Sequence, residues 1–496
     1  MKNNSKTILV TAITYLYIFL FIYAAVSKIL DFEAFKIQLG QSPLLSAYAS
    51  TIAVLIPTIE IVVALIMLLP RIRYIGLLLA FGLMVMFSSY IIIILNYSDF
   101  IPCSCGGILS EMNWEQHLFF NFIFVAMGGL GFILDTTEQY TARKQVSYLV
   151  VTGILTTILV IILYKCSENE MHRNNAFIRR YPHHPITALK GFPLPYNSYY
   201  IAGFHNGKVI LGNATAPLHI VEFDTATQKT SIKRIEITTS KKHPFAAIQI
   251  KINSPFFYMV DGTIPIIYKG NIENWTTTEE IKPNRHFSLF EPITEDLFLI
   301  RQHKTNSNEY DLNILNKDLH YQSIGDKNVL QKNLDGIFDA DGMLLYNIKL
   351  KKVIYTYYYR NEFITTDKNL NTIEINNTID TLRQAPLEFA YMKKSQQKKL
   401  AKQPTTVNIY AATESKYLFI KSNRLGKYES ENIAKQASII DVYNIDNSTY
   451  EFSFYLYHYK NEEIKTFKIY NNLLVGLTSN HLIIGKLKPT YFKLNY

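Results

Sequence analysis

Five apolar runs crowd the first 166 residues, each near the roughly 20 residues that a helix needs to cross a bilayer core. They extend from Ile8 to Leu30, Ala47 to Leu69, Tyr74 to Leu95, Leu118 to Leu134 and Ser147 to Tyr164. In lipid every backbone N–H and C=O must be bonded within the protein, so such runs are expected to fold as helices packed side by side. The first run is too long for the roughly 7–15-residue apolar stretch of a signal peptide, and it lacks a small-x-small cleavage site. It reads as a retained helix.

Basic residues in the short connections set the expected orientation. Lys2 and Lys6 precede the first helix, Arg71 and Arg73 join the second to the third, and Arg143 and Lys144 join the fourth to the fifth. The alternate connections carry only Lys28 and Lys36 in the first and nothing basic from Asn96 to Gln116. The N-terminus is therefore expected in the cytoplasm, with everything after Lys165 outside. The net charge of +10 lies almost wholly in the later part, since residues 1–166 hold 9 basic and 8 acidic residues and the rest hold 41 and 32. Apart from Lys393, Lys394 and their neighbours up to Lys402, this charge is scattered, which suits solvation rather than nucleic-acid binding.

The outward connection between the third and fourth helices contains Pro102-Cys103-Ser104-Cys105-Gly106-Gly107, with two of the three cysteines of the chain. A bridge between such near neighbours must bring its Cα atoms to roughly 4.4–6.8 Å, so it needs a tight turn. Pro102 and the glycine pair supply one. Strained, exposed disulfides tend to be labile and catalytic, and an extracytoplasmic position favours dithiol oxidation. A structural bridge and a metal pair remain as alternatives. Metal sites usually need further Cys or His ligands, and only His117 is at hand, so no metal is expected. His117, at the start of the fourth helix, is either an acid–base partner for a thiolate or an interfacial histidine. Trp114 reads as an interfacial anchor. Cys166, just past the fifth helix, is either a resolving thiol or idle. Glu60 lies within the second helix after Pro57, where an ionisable group is costly and is usually paired or functional. Lys28 is its candidate partner.

Ser27-Lys28-Ile29-Leu30-Asp31-Phe32 followed by Phe35, then Pro57-x-x-Glu60, then the Pro102 to Gly107 loop, resemble the MauE/DoxX family of redox-associated membrane proteins. The resemblance covers about residues 7–135. It implies a compact four-helix bundle, similar in design to vitamin K epoxide reductase and DsbB-type enzymes, with Cys103 and Cys105 as the redox pair. It also implies a role in making disulfides during maturation of periplasmic partner proteins. Lys28 and Glu60 match recurrent polar positions of the family. The fifth helix and the large domain beyond it depart from that pattern.

From Tyr199 onward the chain reads as short alternating strands broken by turn residues, in about six groups. This spacing predicts a β-propeller of about six blades, between five and seven, with paired β-sandwiches as the alternative. The expected organisation is a transmembrane redox domain over 1–135, a cytoplasmic loop and fifth helix over 136–166, a Pro-rich linker over 167–197 and the outer propeller over 198–496. Asp335 to Gly342 reads as a turn rather than a calcium loop. The histidine pair His183-His184 reads as solvated. Tyr355 to Arg360 has the composition of a binding face, and equally that of propeller strands.

The leading expectation is a thiol–disulfide oxidoreductase of a bacterial inner membrane, with the propeller recruiting a cysteine-containing periplasmic client. Electrons would leave to a membrane quinone or a partner protein, since no cysteine lies on the cytoplasmic side. No firmly bound cofactor is expected. The alternative is a non-catalytic, membrane-anchored propeller that serves as a receptor or scaffold.

Overall fold

The structure is a computed structural model that describes all residues except 1, 33–34, 37–38, 40–44, 46–47, 98–112, 136–140, 173–175, 239–242, 308, 318–326, 386, 393–396, 402–403 and 494–496. It divides into two compact units, residues 1–172 with 387–405, and residues 173–386 with 406–496.

The first unit holds α1 (Lys2–Leu30), α2 (Ala49–Leu68), α3 (Arg73–Tyr97), α4 (Trp114–Leu134) and α5 (Ala142–His172). Among the described residues these give five helices long and apolar enough to span a membrane. Much of their apolar surface faces outward, as in Phe19, Leu55, Phe119 and Leu155. That is the pattern of a bundle solvated by lipid rather than water. Inside, Tyr17, Phe21, Val63, Met67, Leu77 and Phe132 form the core. Close approach of α1 to α4 depends on small residues. A Cβ at Gly128 would fall 2.6 Å from the Tyr17 hydroxyl, which donates a hydrogen bond to the Phe124 carbonyl. At one end of the bundle the Arg73 guanidinium holds Asp135, the residue that caps α4, at 2.8 Å. A short hairpin, Phe389–Met392 with Gln397–Leu400, belongs to this unit. Glu388 before it accepts from the Ser50 hydroxyl at 2.9 Å, with the Lys36 ammonium 3.4 Å away.

The second unit is a six-bladed β-propeller. With strands numbered in chain order, and the hairpin above counted as β17 and β18, five blades are successive meanders. They are β2–β5 (Tyr199 to Arg234), β6–β9 (Gln249 to Ile281), β10–β12 (Leu289 to Asn316), β13–β16 (Gly342 to Asn377) and β19–β22 (Asn408 to Tyr457). Strong β-formers such as Val209-Ile210-Leu211 and Val353-Ile354-Tyr355 supply the second strands of these sheets, and tight turns join the strands. Asn206 and Gly207 make one such turn, both with positive φ (45° and 75°), the geometry that a two-residue hairpin selects. The sixth blade combines the chain's last strands, β23 (Thr466–Tyr470), β24 (Leu473–Leu477) and β25 (His481–Lys486), with β1 (Lys190–Pro193) as its outer strand. Each blade face is buried on the next. Val209, Leu211 and Val221 of the first blade pack on Val475, Leu477 and Leu482 of the sixth.

The stretch 167–197 contributes more than a tether. Besides β1, it places Arg179 in the fifth blade with its side chain fully buried. The guanidinium bonds Asp441 at 2.6 and 3.1 Å, Glu429 at 2.7 Å, the Ser422 hydroxyl at 2.8 Å and the Arg424 carbonyl at 3.0 Å. Burial alone would favour the neutral guanidine, but Asp441 and Glu429 hold Arg179 firmly charged. Loss of one partner from such a network typically costs about 3–5 kcal/mol, because the remaining charges stay buried. Arg179→Ala is therefore expected to destabilise the propeller by about that amount. A smaller effect is expected for Arg180→Ala, whose side chain is exposed, and chemical unfolding of the two variants checks the contrast.

Candidate functional site

Polar side chains gather at one end of the helical bundle. The α1 C-terminus brings Lys28 to Glu60 of α2, with the ammonium 2.6 and 2.9 Å from the two carboxylate oxygens. Glu60 is 1% exposed, so the pair is closed on the carboxylate side. Pro57, one turn earlier, also faces the interior of the bundle. Lys28 lies over the Phe35 ring at 5.8 Å and within electrostatic reach of His117. His117 itself is fixed by the start of α4. Asn113 and Gln116 close a reciprocal capping box, and the His117 amide bonds the Asn113 carbonyl at 3.0 Å. The ring of His117 stacks on Trp114 at 6.2 Å.

The same end holds a cluster that joins Trp114 to Phe32, Tyr90, Ile94, Leu163 and Tyr164. It places Leu163 and Tyr164, about two turns before the end of α5, in one cluster with the first residue of α4. Cys166, expected just past the fifth helix, instead lies within α5, which continues to His172, and it is an exposed free thiol. Cys103 and Cys105 fall in 98–112 and lie outside the described residues. The described residues on either side, the end of α3 and the Asn113 cap of α4, belong to the end of the bundle that holds His117.

Between α3 and α5 runs an apolar groove of about 480 Å³ lined by Phe81, Val85, Leu149, Gly153, Ile154 and Thr157 among others. Beside it the Ser89 and Thr157 hydroxyls bond each other at 3.1 Å.

The pairing of Lys28 with Glu60 agrees with the expectation from sequence. The capping box was missed, although Asn113-x-x-Gln116 before an apolar run is its signature. In the propeller, of the two readings of Tyr355 to Arg360, binding face or propeller strand, the strand is the one observed for Tyr355 and Tyr357. Tyr355, Tyr357 and Arg360 are buried, because they belong to the second strand of the fourth blade and the turn after it. Tyr355 donates to the Ala340 carbonyl at 2.6 Å, and the Arg360 guanidinium stacks on Tyr357 at 3.6 Å. The Asp335 to Gly342 segment is a turn whose carboxylates are engaged internally. Asp339 accepts from the Asn333, Leu334 and Gly336 amides, and Asp341 pairs with Arg301 at 2.6 Å. His183 and His184 pack edge to face on each other.

Lys28→Met should destabilise the bundle by leaving Glu60 buried without its countercharge, whereas Lys28→Met combined with Glu60→Gln should recover much of the loss. Thermal unfolding of the single and double variants in detergent measures this coupling.

Solved structures similar to the chain include a member of the duf4221 family from Bacteroides vulgatus, at 16% identity and TM-score 0.41, spanning 61% of this chain and 97% of that one. A putative exported protein from Bacteroides fragilis matches at 9% identity and TM-score 0.41, spanning 64% and 99%. Hydrazine synthase from Kuenenia stuttgartiensis matches at 7% identity and TM-score 0.34, spanning 56% and 80%. No curated protein matches the chain. Residues 6–134 match the family model of the methylamine utilisation protein MauE. The chain thus joins a helical membrane region that matches the MauE model over residues 6–134 to a six-bladed β-propeller.

Proposed function

We propose that the protein is a membrane thiol–disulfide oxidoreductase that forms disulfides in a periplasmic client, with Cys103 and Cys105 as its redox pair. The MauE match over 6–134, which includes the Cys-Ser-Cys loop, carries this reading. In the reaction a client thiolate attacks one sulfur of the Cys103–Cys105 bridge. The bridge opens to a mixed disulfide, and the client's second thiolate displaces it. The client leaves oxidised, and the pair remains as a dithiol. Two electrons and two protons then pass from the dithiol to a membrane quinone or a partner protein, which restores the bridge.

Lys28, Glu60 and His117 have positioning and proton-handling roles in this scheme. A cation near a thiol favours the thiolate, and an imidazole can accept the proton that leaves. Glu60 keeps Lys28 fixed at the end of the bundle. The α3–α5 groove offers an apolar surface for the isoprenoid tail of a quinone. The propeller recruits the client, and the whole sits in the bacterial inner membrane with the N-terminus in the cytoplasm.

Alkylation of thiols in protein taken directly from membranes tests the reading. The Cys103–Cys105 pair should cycle between bridge and dithiol when a thiol substrate and a quinone are supplied. Either Cys103→Ser or Cys105→Ser should abolish turnover, and one of them should trap a mixed disulfide. A pair that never changes state under these conditions would leave the propeller as a receptor on an inert anchor. His117→Ala should slow thiolate attack by about 10²–10⁴-fold if the imidazole is the proton acceptor, as measured by the rate of mixed-disulfide formation.

A further inference from the structure

The innermost strands of the six blades, β2, β6, β10, β13, β19 and β23, follow one another in a closed ring around the propeller axis. Four of them direct a polar side chain toward a common region. Lys251 of β6 pairs with Glu291 of β10 at 2.7 Å. Lys468 of β23 lies within electrostatic reach of both, although β23 belongs to the sixth blade and β6 and β10 to the second and third. Tyr410 of β19, in the fifth blade, senses Glu291 and also Tyr358. Side chains from opposite sides of a ring meet in this way only when they converge on its axis.

The charges there do not balance. Two ammonium groups face one carboxylate, and Glu291 is committed to Lys251. Lys468 has no hydrogen-bond or ion-pair partner among the described residues, and it is only half-buried. The Tyr410 phenol, within electrostatic reach of Glu291, is a further hydrogen-bond donor.

We infer that the propeller axis is a binding site for an oxyanion, a carboxylate or phosphate, held by the Lys468 ammonium with Lys251 and Tyr410 beside it. This site is separate from the redox reading and goes beyond it. The state of Lys468 agrees: burial first, and then repulsion from Lys251, push its ammonium down to about 8, with Glu291 opposing. An anion at the axis would reverse both effects. The ligand is either a free small anion or an acidic group of a bound polypeptide.

The test uses the full-length protein in detergent, with the midpoint of thermal unfolding followed at constant ionic strength. Inorganic phosphate and succinate probe the free anion, and a short peptide with one central aspartate probes the polypeptide source. The wild-type midpoint is expected to rise with at least one probe, and the probe that acts identifies the source. Lys468→Met should weaken the response by about tenfold or more in probe concentration, the cost of losing one charge-assisted hydrogen bond. Glu291→Gln should strengthen it by freeing Lys251, and these opposite signs could not arise from a merely structural role. No response to any probe, or equal responses in all three proteins, overturns the proposal. Lys468→Met removes an unpaired, half-buried charge and is expected to fold, and Lys468→Gln provides a second variant of the same sense.

Discussion

The propeller depends on the pairing of Lys190–Pro193 with the last strand of the chain, in register from Lys190 opposite Ile484 to Pro193 opposite His481. A ring of sheets that failed to close would expose two blade faces, and here those faces carry Val209, Leu211, Val475 and Leu482, all fully buried. Closing the ring with an outer strand taken from before the first blade makes the two ends of the domain depend on each other. The buried Arg179 network acts in the same direction, since it binds the chain just upstream of β1 to the fifth blade. The segment leaving the membrane helices is thus part of the domain it leads into.

The membrane domain answers to a different constraint. Among helices surrounded by lipid, apolar side chains gain little by packing together, so specificity comes from close contacts and from polar pairs. Gly128 admits Tyr17 at one level, Arg73 binds Asp135 at one end, and Lys28 binds Glu60 toward the other. A lysine and a glutamate at such depth are expensive to bury, which is why they are found together. Their position toward the end where α4 begins brings a cation near His117.

Much of this was legible beforehand because periodicity and length are local properties. The five spans follow from runs of apolar residues, and the expectation of about six blades follows from strand spacing with turns such as Asp224-Thr225 and Asp367-Lys368-Asn369 between. The partnership of Lys28 with Glu60 could be inferred because an intramembrane carboxylate needs a cation. The tyrosine run from Tyr355 was ambiguous for a physical reason: a strand buried on both faces and an exposed aromatic patch share one composition. Likewise, nothing in Phe177 to Tyr181 announces that Arg179 will be swallowed by a blade some 250 residues later in the chain.

By itself, then, the sequence determined the membrane helices, the strand-rich domain after them, the cysteine pair and the need of Glu60 for a partner, since each follows from residues close together or from the cost of an unpaired charge in lipid. Only the tertiary structure decided that β1 closes the ring, that Arg179 joins three carboxyl and hydroxyl groups of one blade, and that Lys251, Glu291, Tyr410 and Lys468 meet at the propeller axis. Those contacts join positions far apart in the chain, and their geometry is set by the closure of six sheets around one line rather than by any local pattern.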